Sequence, residues 1–294
     1  MERSPTVGMI CTGVRAEERM LIEAFAAQDV DLQVVLDRSI YGDLGSWPEA
    51  LPRLDVYLLR SKSHWRNLVT ARWLESLGAH PINNSRLIDT CGDKVLTTLA
   101  LLGSDVPTLS ASIALAPEGG AGAAESVGYP MVVKPVIGSW GRLIGKVNDE
   151  DALELALDHK TAIGGAPHAI TYLQRFVETG GRDLRTFVIG GRCVAAIARS
   201  SDGWKTNTAL GGEAAGLDLD DELVTISEAA SLAVGGGIVA VDLFKTDDGY
   251  LVNEVNGTME FRNSVDTTGV DIPGLVVDYV LERALEHSAL SGEV

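Results

Sequence analysis

Asn253-Glu254-Val255-Asn256-Gly257-Thr258-Met259-Glu260-Phe261-Arg262-Asn263-Ser264-Val265 brings carboxylates and amides together just after a strand pattern. A further carboxylate, Asp242, precedes it at hairpin distance, across the turn Asp247-Asp248-Gly249. A three-residue loop with glycine in the left-handed position pairs Thr246 with Tyr250, and therefore Asp242 with Glu254. Facing side chains in such a pair sit ~4.5–5.5 Å apart at Cβ. The period of two keeps Asn256 on the same face and turns Val241, Leu243 and Val255 into a core. Two carboxylates this close repel, and a cation between them removes the penalty. Mg²⁺ takes oxygen ligands and shares them with nucleotide phosphates, so Asp242, Glu254 and Asn256 are the expected metal ligands. The competing reading is a surface hairpin whose acids face water, and the apolar flanks oppose it.

Upstream, Val132-Val133-Lys134-Pro135-Val136-Ile137-Gly138-Ser139-Trp140-Gly141-Arg142 ends a strand on a lysine and continues into a glycine loop. Gly138 and Gly141 allow close backbone approach to a ligand, and Ser139 with the loop N–H groups can donate to phosphate oxygens. Neither GxxxxGK[ST] nor GxGxxG occurs, so the loop is not a P-loop or a dinucleotide fingerprint. A purely structural turn would also explain it. Lys94, at a helix start, is a second possible phosphate contact or an ordinary exposed lysine. Gln174-Arg175-Phe176-Val177-Glu178 leaves a strand, and exposed backbone there can bond an adenine edge. Glu178 or Asp183 could accept from ribose hydroxyls. Arg185, Arg199, Lys205 and Asn207 put donors near the phosphates, where an arginine stabilises charge built up in phosphoryl transfer. These cations also read as solvated charges on a hairpin. The five histidines are scattered, and none is assigned to catalysis.

The chain has 294 residues, 46% of them hydrophobic, enough for two or three packed units. No apolar run reaches membrane-spanning length, and Thr6 to Val14 reads as a first strand rather than a signal peptide. Cys11, Cys91 and Cys193 are far apart and odd in number, which suits a cytoplasmic location and excludes zinc-type CxxC spacing. A net charge of −17 argues against binding nucleic acid or an anionic membrane. Between Arg60 and Arg86 the balance reverses, with Arg60, Lys62, Arg66, Arg72 and Arg86 against Glu75. That window is either a solvated helix face or a landing patch for an acidic partner.

Strands over 6–14, 32–36 and 55–59 alternate with helices over 17–28 and 65–77, a small parallel α/β unit ending near Asn83 to Leu87. A helix runs from Asp93 to Leu102 with a cap at Asp89 or Thr90. Ala114 to Gly128 reads as a loop with at most a small helix. A strand over 129–136, a helix over 150–159 and a strand over 169–177 follow. Leu184 to Ile189 and Cys193 to Arg199 form a hairpin through Gly190-Gly191. Ser200 to Gly212 reads as a mobile loop. A helix over 221–234, a hairpin over 238–246 and 250–255, and a closing helix over 275–290 complete the chain. The domains divide as 1–87, 88–176 and 177–294.

These strings resemble the ATP-grasp ligases, and within them the LysX branch of the RimK-like group. The resemblance rests on Asp93-Lys94-Val95-Leu96-Thr97-Thr98, Tyr129 to Arg142, Gly181-Arg182-Asp183-Leu184-Arg185, Trp204 to Gly212, Gly235 to Leu243 and Asn253 to Gly274. It implies an α/β fold: two α+β lobes that hold ATP between them, preceded by a parallel α/β pre-ATP-grasp domain. It implies Lys94 and Lys134 on the phosphates, the backbone of Arg175 to Glu178 on adenine, and Asp242, Glu254 and Asn256 on Mg²⁺. The implied chemistry phosphorylates the C-terminal glutamate side chain of a small acidic amino-group carrier protein of LysW type. The α-amino group of a free acidic amino acid then attacks the acyl phosphate, in lysine-type or specialised amino-acid biosynthesis. Asn256-Gly257-Thr258 matches the pattern that goes with α-aminoadipate, and Thr258, Arg262, Asn263 and Ser264 would lie near that substrate. A homo-oligomer would be typical. Two positions depart from the family pattern: Leu210 replaces an arginine, and Gly257 stands where relatives often carry histidine. Alternatives are a glutamate ligase acting on a carrier or a ribosomal-protein tail, and an ATP-binding regulator without chemistry.

Overall fold

The computed structural model describes residues 4–28, 30–138, 143–163, 169–206 and 213–291. Strands β1 (Val7–Cys11), β2 (Leu32–Leu36), β3 (Val56–Arg60) and β4 (Pro81–Ile82) form an all-parallel sheet in the order β2-β1-β3-β4. Helices α1 (Ala16–Ala27) and α2 (His64–Ser76) make the crossovers. β1 and β3 are buried along their whole length, as parallel strands covered on both faces must be. The chain leaves α2 through Gly78, whose φ of +77° suits a residue without Cβ.

The next sheet is antiparallel: β5 (Ala111–Ala114), β6 (Met131–Pro135), β7 (Gly145–Val147) and β8 (Thr171–Arg175), in the order β5-β8-β6-β7. Met131, Val133 and Leu173 face helices α5 (Gly120–Val127) and α6 (Glu150–Ile163). The alternation then sends Val132, Lys134 and Gln174 to the opposite, open face. α5 is the small helix that the reading of 114–128 allowed for. Its glycines and alanines are weak local signals, but a Cβ at Gly120 would stand 2.3 Å from Leu157. Close packing on α6 therefore selects the helix over local propensity.

The third sheet is antiparallel, in the order β11-β10-β9-β12-β13: β9 (Arg182–Ile189), β10 (Arg192–Ser200), β11 (Glu213–Leu217), β12 (Ile238–Thr246) and β13 (Gly249–Asn256). The β9–β10 turn places Gly190 and Gly191 at φ +57° and +81°, the mirror-image turn expected of Gly-Gly. Helix α3 (Ser85–Gly92), which sequence reading did not anticipate, and α4 (Lys94–Gly103) precede β5 in the chain. Yet Leu87 and Leu101 share a core with Val241, Val255 and Leu223 of α7 (Asp221–Val234). The α4 cap is Asp93 itself, which accepts from the N–H groups of Val95 and Leu96, rather than Asp89 or Thr90. After the short helix α8 (Arg262–Thr268), α9 (Ile272–Ser291) lies between the third sheet and the N-terminal sheet. Its Val276, Val277 and Val280 join Met9, Leu58 and Phe187 in one cluster. The N-terminal unit is thus continuous with the C-terminal lobe through a shared apolar core.

Candidate active site

The final hairpin reaches the expected pairing by an unexpected route. Thr246 pairs with Gly249 across a two-residue turn rather than with Tyr250, a shift that would misalign every later pair. A bulge then restores the register: Leu243 pairs with Val252 and Asp242 with Glu254, leaving Asn253 as the extra residue. The bulge turns Asn253 as well as Glu254 to the face that already carries Asp242 and Asn256.

That face and the open face of the second sheet line a common cleft. Lys134 is buried on its wall and donates to Gln174 Oε1 and, at 3.0 Å, to Asn253 Oδ1. Burial pulls its pKa down to about 8, with Glu254 opposing and Lys94 assisting. Across the cleft, Arg185 grips both oxygens of Asp242, from Nε at 2.6 Å and Nη2 at 2.8 Å. Arg199 adds a contact to Asp242 at 3.2 Å and binds both oxygens of Asp183, at 2.7 and 2.6 Å. Burial alone would raise the Asp242 pKa; Arg185 and Arg199 reverse it and hold the carboxylate ionised, below its ordinary range. Burial likewise opposes the Arg199 charge, and Asp242 and Asp183 together keep it protonated above the usual guanidinium range. Thr206 closes the chain by donating to Asp183. Asp183, expected as a possible ribose acceptor, lines the cleft with both oxygens engaged and orients Arg199.

Lys94 Nζ donates to the Gly138 carbonyl at 2.7 Å and stands 3.8 Å from Glu254 Oε1, so both lysines flank the carboxylate hairpin. Arg175, Phe176 and Val177 line the cleft, whereas Glu178 is exposed and accepts from the Gly180 N–H. Phe176 and Trp204 meet edge to face at 6.1 Å, giving the cleft an aromatic end. Lys205 donates to the Ile144 carbonyl at 2.8 Å, spanning the two lobes, rather than standing free as a phosphate donor. Ser139, Gly141, Asn207 and Leu210 lie outside the described residues. Asp242, Glu254 and Asn256 offer an all-oxygen donor set on neighbouring strand positions, which suits a hard divalent ion. Asn256 Nδ2 donates to Asp242 Oδ2 at 3.4 Å, so the amide nitrogen rather than its oxygen faces the carboxylate.

A second cleft adjoins the first and shares Arg185, Glu254 and Asn256 with it. Its other wall comes from the N-terminal unit: Arg15, Lys62, His64 and Asn67 face Thr258 and Glu260. Sequence reading found Thr258 here but none of the N-terminal residues. The signal available in advance was Asn67, a polar residue on the inward face of α2 beside Leu68, Ala71 and Leu74. Arg262 and Asn263 open α8 on the exterior and Ser264 is buried beneath it, so none of the three lines either cleft. The basic window is not one surface. Arg60 is buried, Arg66 pairs with Asp37 at 2.8 Å, and Arg72 pairs with Asp89 at 2.6 Å. Among the described residues no helix is long and apolar enough to cross a membrane.

Two lobes facing each other over lysines, arginines and a carboxylate hairpin define an ATP-grasp fold. The chain belongs to the RimK-like ATP-grasp family, whose domain matches residues 91–280, and its first 90 residues carry a LysX preATP-grasp domain matched over 7–90. It is an ATP-dependent ligase. It is 32% identical over 281 residues to a glutamate–LysW ligase, ArgX, of Sulfurisphaera tokodaii, covering 94% of this chain and 98% of the relative. It is 35% identical over 234 residues to an α-aminoadipate–LysW ligase, LysX, of Saccharolobus solfataricus, covering 79% of this chain and 84% of the relative. An ATP-grasp RimK domain protein of Sphaerobacter thermophilus superposes with a TM-score of 0.77 at 25% identity, over 94% of this chain and 99% of that one. A D-alanine–D-alanine ligase of Bacillus anthracis in complex with ATP shares the fold at TM-score 0.72, with 18% identity over 97% and 99% of the two chains.

Proposed function

We propose that this enzyme joins the α-amino group of an acidic amino acid to the C-terminal glutamate side chain of a small LysW-type carrier protein, by way of an acyl phosphate. The observation that carries the proposal is the junction of the two clefts. Arg185, Glu254 and Asn256 line both, so a phosphoryl group at the end of the first cleft would meet a carboxylate entering the second.

Each residue has a physical task. Lys134, with Lys94 beside the Gly138 turn, supplies positive charge for the triphosphate. Arg185 stands where charge builds on the transferred phosphoryl group. Arg199 is held by Asp183 and keeps the carboxylate of Asp242 aligned. Asp242, Glu254 and Asn256 would hold Mg²⁺, which would neutralise phosphate oxygens and fix their direction. The Arg175-to-Val177 exit and the Phe176–Trp204 pair suit an adenine ring.

Relatives of both amino-acid preferences match at similar identity, so the amino acid is decided by assay. The enzyme is incubated with ATP, Mg²⁺, a LysW-type carrier and, in turn, glutamate and α-aminoadipate, and the carrier is weighed by intact mass spectrometry. The expected result is a gain of one amino-acid residue, with one ADP formed per ligation. ATP binding without a mass gain on the carrier from either amino acid would overturn the proposal.

A further inference from the structure

The segment Gly257–Glu260 leaves β13 and forms no regular strand. Alternate side chains go opposite ways: Met259 and Phe261 are sunk in the core shared with the N-terminal unit, while Thr258 and Glu260 face the second cleft. Four successive residues are each met by a different polar side chain of the N-terminal unit or the turn that leaves it. Asn83 Nδ2 donates to the Gly257 carbonyl at 2.8 Å, and Asn67 Nδ2 approaches Thr258 Oγ1 at 3.4 Å. Arg60 Nη1 donates to the Met259 carbonyl at 2.8 Å, and Arg15 Nη1 binds Glu260 Oε1 at 3.1 Å.

These four side chains are themselves fixed. Asn83 also bonds both the N–H and the C=O of Ile238, at 2.8 and 2.7 Å. Asn67 bonds the N–H and C=O of Ser61, at 3.0 and 2.8 Å. Arg60 and Arg15 share Glu18, at 3.1 and 2.8 Å. Glu18 and Arg60 are almost wholly buried. Burying such an ion pair gives little net stability over an apolar pair, so stability alone does not account for it. A pair that fixes one carbonyl in one direction does account for it, because guanidinium geometry is planar and directional.

We propose that the N-terminal domain is a positioning template for Gly257–Glu260. One polar side chain per residue sets the amino-acid site, and Asn67 and Arg15 are the positioning residues nearest the bound amino acid. The inference rests on the function proposed above, since it places the amino acid in the second cleft. It gives the N-terminal unit a task in substrate choice although the ATP cleft belongs to the other two lobes. Changes on α2 or the β1–α1 turn would alter amino-acid preference without touching the nucleotide.

The test compares Asn67→Ala, Arg15→Gln, Glu260→Gln and the Arg15→Gln/Glu260→Gln double variant with the unaltered enzyme. Hydrogen–deuterium exchange is followed for the peptide over 257–261 and for the hairpin tip over 245–250. KM is measured separately for ATP and for the amino acid. The expected result is faster exchange over 257–261 alone, and an amino-acid KM raised about tenfold, the effect of losing one charge-assisted hydrogen bond, with the ATP KM unchanged. The double variant should be no worse than the poorer single, because both remove the same contact. Unchanged exchange, or ATP and amino-acid KM rising together, would overturn the template. Faster exchange with an unmoved amino-acid KM would also overturn it, leaving only a structural seam. Should the unaltered enzyme ligate no amino acid, the assigned function fails, while exchange still decides whether these side chains hold the segment.

Discussion

The two clefts are built by opposite means. The first uses opposed faces of two antiparallel sheets, so strand alternation, corrected by one bulge at Asn253, brings Lys134, Gln174, Asp242, Glu254 and Asn256 to a common space. The second is assembled from a turn, a helix, a strand end and an irregular segment far apart in the chain. Once its register is set, a sheet face is held by backbone pairing along the whole strand. A wall of separate segments depends on every hydrogen bond that docks them. The first cleft should therefore fail chemically when altered, and the second geometrically.

Asp242 offers the largest effect and joins both kinds of failure. Asp242→Asn removes the charge proposed to hold the metal and leaves Arg185 without its carboxylate, while Arg199 keeps only Asp183. Ligation should fall roughly 10³-fold, and stability should drop by about 3 kcal/mol as a buried pair is broken. Glu254→Gln should match the loss of ligation with a stability change under ~0.5 kcal/mol. Glu254 is part-exposed and its nearest cation, Lys94, is 3.8 Å away. Single-turnover ADP formation and urea melts measure both. Equal destabilisation by the two variants would break the distinction between charge pinned in the fold and charge reserved for ligand.

Lys134 gives a pH signature. Burial lowers its pKa to about 8, so the free enzyme sheds this proton near pH 8 while an unfolded lysine holds it to ~10.4. Between those values the unfolded chain binds more protons, and the Lys134 contribution to stability rises with pH. Phosphate binding has the opposite sign, because it needs the ammonium. At pH 9 about one free enzyme in ten carries that charge, so the Kd for ATP should be about tenfold weaker than at pH 7. Lys134→Met should bind ATP weakly with this pH step removed. Isothermal titration across pH 7 to 9.5 checks both, and an affinity flat across pH 8 in the unaltered enzyme would contradict the burial argument.

Asn83 tests the docking of the second wall. Asn83→Ala strands the N–H and C=O of Ile238 and loses the Gly257 carbonyl contact, which should cost roughly 1–3 kcal/mol. The ATP Kd should stay constant, as none of these bonds touches the first cleft. A weaker ATP Kd, measured beside the urea midpoint, would mean that the two clefts are mechanically one.

The same contrast explains what could be read in advance. Asp242 and Glu254 were expected to face each other, and they do, although the turn is one residue shorter than supposed. The bulge at Asn253 compensates, and no local residue preference announces a bulge there. The Gly190-Gly191 turn follows from backbone chemistry that acts within a few residues, whereas the α4 cap was expected at Asp89 or Thr90 and falls on Asp93. α5 was legible only as at most a small helix, because its small residues are weak local signals and Gly120 packs closely on Leu157. Arg262, Asn263 and Ser264 were expected at the substrate, but α8 begins there and turns them away. Arg15, Asn67 and Asn83 carried no motif, since their meaning lies in the carboxylate, hydroxyl and carbonyls they meet across 155 to 245 residues.

Gly257 is the gentlest test of the second wall. Its φ needs no glycine, so any effect of Gly257→Ala is steric. The added Cβ would stand 2.9 Å from Leu87 Cδ2 and 3.3 Å from Cys91 Cβ. Cys91 Cβ is tied to the α3 backbone, and Leu87 is buried in the C-terminal core, so neither yields freely. Overpacking of this size should cost about 1 kcal/mol, seen as a small fall in Tm with the ATP Kd unchanged. Leu87→Val removes a methylene beside the clash. If the contact is real, adding Gly257→Ala to Leu87→Val should cost less than adding it to the unaltered chain. Strict additivity in a four-variant thermal cycle would show that α3 moves aside as a unit, and that the wall behind Gly257 is softer than the sheet face across the cleft.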